Sequence, residues 1–333
     1  MSVKSSVLKK LEENRGNYFS GETLAKELQV TRASVWKAVK QLEQEGYEIL
    51  AVQNRGYCLA EYADHLSEEG IRAYLPKEQA GIDIHVFRET TSTNTIAKQA
   101  AASGAKEGQL FVADVQTAGR GRRGRSFFSV PGGMICMSLL MRPKLQASDA
   151  VFLTTATCVA VHRAIRNVTG IITEIKWVND LYYQGKKVCG ILTEAVTDCE
   201  TGIVDCIIPG IGINFNIAPE QFPAELKEIA GALYNGDGRI LVTRNQLIAE
   251  IVVQLANVLE DLGHRDFLKE YRAHSMLIGK TILVMTEPKP LEAVAVDIDE
   301  NGGLVIELAD GTRRVLNSGE VTVRVKKFLT FDK

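Results

Sequence analysis

Seven residues stand out first: Gly119-Arg120-Gly121-Arg122-Arg123-Gly124-Arg125, four arginines interleaved with three glycines. Arginine's planar fork grips carboxylate or phosphate through paired hydrogen bonds, and glycine lets the backbone come close to a ligand. The loop therefore suits an anion. Such a loop can order over a bound nucleotide and keep water away from a reactive intermediate. Taken alone, the same residues also fit a solvated basic loop or a nucleic-acid contact. The glycines match the spacing G-x-G-x-x-G, but that fingerprint requires a following helix and an acidic residue about 20 positions on. Ser126-Phe127-Phe128-Ser129-Val130-Pro131-Gly132-Gly133 cannot open a helix, so a redox dinucleotide is disfavoured.

Other polar residues stand at the ends of apolar runs. Thr91-Ser92-Thr93-Asn94 offers short hydroxyl and amide groups, which serve a helix N-cap or a polar ligand equally well. Gln116 closes an apolar stretch, and Asn179-Asp180 follows Trp177 where a turn is the simplest reading. A carboxylate there could also position Mg-ATP. Lys187 opens a very apolar stretch; a strand-end lysine is usually just solvated. Neither G-x-S-x-G nor a Cys-His pairing is present, which argues against an enzyme nucleophile, and the P-loop lysine motif is missing.

These residues need elements to hold them. Apolar spacing predicts a helix over 3–13, a short helix over 22–28 begun at Ser20, and a third capped by Thr31 and closed by Gly46. Alternating stretches 47–52 and 57–60 around Gln53-Asn54-Arg55-Gly56 predict a hairpin, so residues 1–64 read as a winged helix-turn-helix. Ser67-Glu68-Glu69 looks like a capped, acid-rich helix start. From 65 to 273, strands at 82–87, 110–115, 134–140, 171–177, 187–196 and 204–213 alternate with helices at 94–103, 149–168 and 244–262, predicting a mixed α/β domain. From about 275, short strands at 281–285, 292–298, 304–308, 312–316 and 321–325 predict a small β-barrel over 274–333. The fold class is thus multidomain α+β.

The 333 residues exceed a typical single core. A formal charge of −2 excludes a globally basic nucleic-acid coat, yet residues 1–60 carry nine Lys and Arg against seven Asp and Glu. The six cysteines contain no C-x-x-C pair and sit mostly in apolar runs, so buried, reduced thiols are expected and a metal site on them is not. Without a signal core or membrane-length apolar run, a cytoplasmic protein is expected.

The arginine loop resembles the signature of biotin-protein ligases, and five further segments match that family in order. Thr91-Ser92-Thr93-Asn94 is similar to its Ser-Thr-Asn turn, and Gln116-Thr117-Ala118 to the lead-in to the arginine loop. Lys176-Trp177-Val178-Asn179-Asp180 is similar to its Lys-Trp-Pro-Asn-Asp element, with Val178 in place of proline. Lys186-Lys187-Val188-Cys189-Gly190-Ile191-Leu192-Thr193-Glu194 and Gly210-Ile211-Gly212-Ile213-Asn214 complete the series. Phe127 stands where the family commonly has tryptophan. The resemblance runs from about residue 80 to the C-terminus, and the winged helix before it is similar to that of the members that also repress biotin genes.

This resemblance implies a central core of the class II aminoacyl-tRNA synthetase type and an SH3-like C-terminal barrel. It implies biotin contacts at Ser92, Thr93, Asn94, Gln116, Arg120, Gly121, Arg122 and Lys187, and nucleotide contacts at Arg120, Arg122, Arg125, Phe127, Asn179 and Asn214. It assigns the catalysis to Arg122, Lys187 and Asp180, with Asp180 toward the magnesium of Mg-ATP. The implied reaction joins biotin to ATP as biotinyl-5'-adenylate and then to a lysine of a biotin carboxyl-carrier domain, that of acetyl-CoA carboxylase or pyruvate carboxylase. The implied repressor is a homodimer on operator DNA with the adenylate as corepressor, and no membrane is involved. DNA contacts are expected from Thr31, Arg32, Ala33, Ser34 and Lys37 of the third helix and from Arg55 at the wing tip. A ligand sensor without catalysis, and a ligase for lipoate or another acid, are the alternatives. Replacing residues 31–34 is expected to abolish DNA binding in a mobility-shift assay with biotin and ATP; unchanged binding would refute the assigned recognition helix.

Overall fold

The computed structural model describes residues 2–142, 150–197, 204–236, 240–285 and 290–317. Helices α1 (Val3–Glu12), α2 (Gly21–Glu27) and α3 (Arg32–Gln44) are followed by strands β1 (Ile49–Val52) and β2 (Gly56–Leu59). Each helix starts where a hydroxyl satisfies an orphan backbone donor: Ser2, Ser20 and Thr31 accept from the amides of Ser5, Thr23 and Ser34. Val7, Leu8, Leu11, Leu24, Val35, Val39, Leu42 and Leu59 form a core of their own. Gly56 is obligatory at the wing. Its φ is +97°, and a Cβ there would lie 2.0 Å from the carbonyl oxygen of Phe19.

Ser67 caps α4 (Glu68–Tyr74) by accepting from the Gly70 amide. Next come β3 (Asp83–Thr90), α5 (Thr93–Ala102), β4 (Gln109–Gln116), β5 (Met134–Leu140) and α6 (Ala150–Thr169). Then follow β6 (Glu174–Lys176), β7 (Asp180–Tyr183), β8 (Lys186–Thr197), β9 (Val204–Asn214), α7 (Arg244–Glu260) and α8 (Phe267–Ala273). The seven strands form one sheet in the order β3-β4-β5-β9-β8-β7-β6. Only β3 and β4 are parallel, so they alone need a crossover helix, which is α5. Alternation along the strands divides the core. Phe111, Leu140, Cys206 and Ile208 pack with Ala97 and Ala101 of α5, while Leu110, Val112, Ile135, Met137 and Ile211 pack with α6 and α7.

Two elements depart from the expected pattern. β7 occupies residues expected in a turn, so Asp180 is a strand residue paired with Gly190 and Lys176, and α8 follows α7. In the C-terminal region β10 (Thr281–Val284), β11 (Leu291–Ile298), β12 (Leu304–Glu307) and β13 (Arg313–Leu316) form a sequential antiparallel sheet. The fifth strand expected at 321–325 lies outside the described residues. Ile282, Ala295, Ile298, Leu304 and Ile306 share the core of the central region, and Trp177 Nε1 donates to the Gly302 carbonyl at 2.8 Å. Cys58, Cys136, Cys158, Cys189 and Cys206 are free and buried, as expected; Cys199 lies outside the described residues. Among the described residues no helix is long and apolar enough to cross a membrane.

The head is tied to the body by Arg244 at the start of α7. Its side chain, 4% exposed, donates to Asp64 Oδ2 at 2.7 Å, to Asp114 Oδ1 and to the Met134 carbonyl at 3.2 Å. Burial alone would lower its pKa, but Asp64 and Asp114 outweigh that and raise it. Asn245 beside it donates to the His65 carbonyl and accepts from the Ser67 amide. Arg244→Met is therefore expected to destabilise the chain by about 3–5 kcal/mol in chemical denaturation, because two half-buried carboxylates lose their cation.

Candidate active site

Strand ends and the loops between them enclose a cavity of about 610 Å³. It is lined by Ser92, Thr93 and Asn94 from the start of α5, Gln116 from the end of β4, and Arg120, Gly121, Arg122, Arg125 and Phe127 from the arginine loop. Asn179 and Asp180 at β7, Lys187 on β8 and Asn214 on β9 complete it. Every ligand-site residue singled out in the sequence thus borders one space. The expected DNA contacts lie elsewhere, on the head: the capping Thr31 and Arg32, Ala33 and Lys37 of α3 are exposed, Ser34 is half-buried, and Arg55 stacks on the Tyr18 ring at 4.0 Å.

At the first wall Ser92 occupies the N-cap position, but its hydroxyl makes no capping bond. The Thr93 amide instead donates to Gln116 Oε1 at 2.7 Å. The cap expected from Ser92 or Thr93 is thereby replaced by a side chain 23 residues away, because β4 runs parallel to β3 and ends beside the helix start. Ser138 Oγ lies 2.6 Å from Asn94 Oδ1 and 2.7 Å from Thr93 Oγ1, and Asn94 Nδ2 donates to Glu194 Oε2 at 2.7 Å.

The arginine loop folds back on itself: Gly121 N donates to the Arg125 carbonyl at 2.7 Å, and Phe127 N to that of Gly119 at 2.9 Å. Between them Arg123 and Gly124 adopt φ of +61° and +70°. Arg122 donates to Asn179 Oδ1 at 3.2 Å, and Asn179 in turn donates to the Ile191 carbonyl. Desolvation lowers the Arg122 pKa; Asp180 opposes that shift and Arg123 adds to it. Arg120 reaches Thr95 Oγ1 at 3.2 Å.

Lys187 Nζ sits 2.7 Å from Asp180 Oδ1, an ion pair on the cavity wall. Lys176, over the Tyr182 ring at 5.4 Å, has its pKa lowered by burial, and burial pushes Tyr182 up to about 12. The Trp177–Val178 peptide is cis and Val178 is buried. Asn214 spends its amide on the Gly231 carbonyl at 2.7 Å and that of Lys187 at 3.4 Å, so it braces the wall it lines.

Lining Arg120, Arg122, Arg123, Arg125, Lys176 and Lys187 face one lining carboxylate, Asp180. Such a space suits a polyanion, and close packing shapes it. A Cβ at Gly210 would fall 2.2 Å from Asn94 Oδ1, and one at Gly212 would fall 2.2 Å from the Phe127 ring. Sequence reasoning missed Ser138, Lys98 and Glu194, which stand behind the first wall. Ser138 carried a signal, being the one polar residue in Met134–Leu140, buried throughout.

Residues 86–214 match the model of the "Biotin/lipoate A/B protein ligase family", residues 3–58 an "HTH domain" and residues 277–324 the "Biotin protein ligase C terminal domain". The chain belongs to the biotin/lipoate A/B protein ligase family, as its sequence motifs implied. It is 33% identical over 320 residues to the "Bifunctional ligase/repressor BirA" of Bacillus subtilis, covering 95% of this chain and 98% of that one. To the protein of the same name from Escherichia coli it is 28% identical over 312 residues, covering 93% and 94%. The biotin protein ligase of Aquifex aeolicus in complex with biotin and ATP superposes with a TM-score of 0.61 at 27% identity, covering 73% of this chain and 99% of that one.

Gly212→Val is expected to displace the Phe127 ring and destabilise the chain by about 1–3 kcal/mol. A crystal structure of the variant would check it; an unmoved ring would show that the glycine is not what seats it.

Proposed function

We propose that the chain is an ATP-dependent biotin-protein ligase that also acts as a biotin-responsive transcriptional repressor. The observation that carries the enzymatic half is the cationic cavity with a hydrogen-bonding wall of Ser92, Thr93, Asn94 and Gln116 at one side. A neutral ring with N–H and C=O groups suits that wall, while carboxylate and phosphates suit the arginines and Lys187. Biotin and ATP in the related Aquifex aeolicus complex support the same pair of substrates here.

In the first step a biotin carboxylate oxygen bonds to the α-phosphorus of ATP and the bond to the β-phosphate oxygen breaks, giving biotinyl-5'-adenylate and pyrophosphate. Two anions must meet, so the residues that matter are cations held in place beforehand: Arg120 and Arg122 on the carboxylate, Lys187 on the growing charge at phosphorus. Arg125, Phe127, Asn179 and Asn214 form the nucleotide side. Asp180, the one carboxylate lining the cavity, is the residue that would hold the magnesium of Mg-ATP. That ion would neutralise phosphate charge. In the second step the ε-amine of an acceptor lysine attacks the acyl carbon, AMP leaves, and the amine loses a proton. The acceptor is the biotin carboxyl-carrier domain of acetyl-CoA carboxylase, and pyruvate carboxylase is a second.

The repressor half rests on the winged helix, with Arg32, Ala33 and Lys37 exposed on α3. Operator DNA with two half-sites calls for a homodimer, formed when the adenylate orders the arginine loop. The C-terminal strands form an SH3-like barrel, and the central core is of the class II aminoacyl-tRNA synthetase type. Residues 1–64, 65–273 and 274–333 are the three units.

Lys187→Ala is expected to slow adenylate formation about 100- to 1,000-fold in single-turnover measurements. Arg122→Ala is expected to release the adenylate so that bystander lysines become biotinylated. Retention of the adenylate as tight as in the unaltered chain would remove Arg122 from the role given to it.

A further inference from the structure

One large apolar ring of the DNA-binding head lies outside its core. Tryptophan occurs twice in the chain. Trp177 is 4% exposed, whereas Trp36 on α3 is 55% exposed. Leaving an indole in water forgoes one of the largest hydrophobic gains open to a side chain. The helix itself dictates this exposure: Val35, Ala38, Val39 and Leu42 form its buried stripe, and Trp36 falls on the side turned away from them.

The neighbours of that ring indicate what covers it. Trp36 stands four residues after Arg32 and three after Ala33, so it lies one turn along the same face, with Lys40 a further turn on. Arg32, Ala33, Lys37 and Lys40 are all exposed. Lys40 shares its charge with Glu43 at 2.6 Å, which leaves the positive field strongest at the Arg32 end. A partner for this face must therefore offer anions at its margin and an apolar group between them. The DNA major groove does both, because phosphates line its edges and thymine, alone among the four bases, presents a methyl in it. Ala33, with one carbon of side chain, leaves the ring room to lie against base edges.

We propose that Trp36 is a specificity-determining residue of the DNA interface, its indole packing on the 5-methyl of one thymine in each half-site. The inference deepens the repressor reading of the head and rests on it. Phosphate contacts hold any sequence, whereas an apolar contact with a methyl separates thymine from the other bases.

The test begins with the full chain, biotin and ATP, used to enrich a random-sequence DNA duplex library. Each thymine of the enriched duplex is then replaced in turn by deoxyuridine, which removes the methyl and leaves the pairing edge unchanged. One thymine per half-site is expected to be sensitive, with deoxyuridine lowering the affinity of the unaltered chain about threefold to fivefold, the worth of one buried methyl. W36A is expected to bind the enriched duplex about tenfold more weakly, to be indifferent to that deoxyuridine, and to transfer biotin to a carrier domain within about twofold of the unaltered rate, which verifies its folding. No thymine whose methyl matters, or a methyl effect as large in W36A as in the unaltered chain, would overturn the proposal. So would W36A binding DNA as tightly as the unaltered chain while transferring biotin more slowly, since a protein partner would then cover the ring. If the unaltered chain enriches no DNA at all, the repressor reading itself fails, and this inference falls with it.

Discussion

Positive charge gathered in a confined space is the constraint on which the rest of the structure depends. Six lining cations share a cavity with one lining carboxylate, and like charges so placed repel unless the fold holds them there. The fold does so through hydrogen bonds and ion pairs along the wall. The arginine loop is closed by its own hydrogen bonds, Arg122 is docked on Asn179, and Lys187 is drawn to Asp180. What the repulsion costs in the free chain becomes attraction once an anion arrives, which is how a site that does no covalent chemistry of its own can favour a transition state between two anions.

The sheet supplies the geometry for this. β9 runs beneath both walls, and its glycines at 210 and 212 are the places where Asn94 and Phe127 come down onto the strand. The parallel pairing of β3 and β4 brings Gln116 beside the start of α5, so that one side chain both caps a helix and lines the cavity. Asp114, two residues before Gln116, is held by Arg244, which also grips Asp64 at the edge of the DNA-binding head. The ligand wall and the head thus share one short run of β4.

The DNA-binding head is legible in the amino-acid sequence because its signals are local: hydroxyl caps at Ser20 and Thr31, apolar spacing in α3, and a glycine after it. The cavity-lining residues are legible because their types are costly in apolar surroundings and recur in a family pattern. β7 is hidden because Asp180 and Tyr182-Tyr183 lie between turn residues, and only pairing with β6 and β8 makes a strand of them. Glu194 and Ser138 are hidden for a related reason. Their meaning lies in contacts with Asn94 across 100 and 44 residues, which no local spacing encodes.

Carboxylate activation at the α-phosphate of ATP is the central step, and the most direct measurement of it is exchange of labelled pyrophosphate into ATP. The chain is expected to catalyse that exchange when biotin is added, without any acceptor protein, and not when lipoate replaces biotin. No biotin-dependent exchange, or exchange supported equally by lipoate, would contradict it.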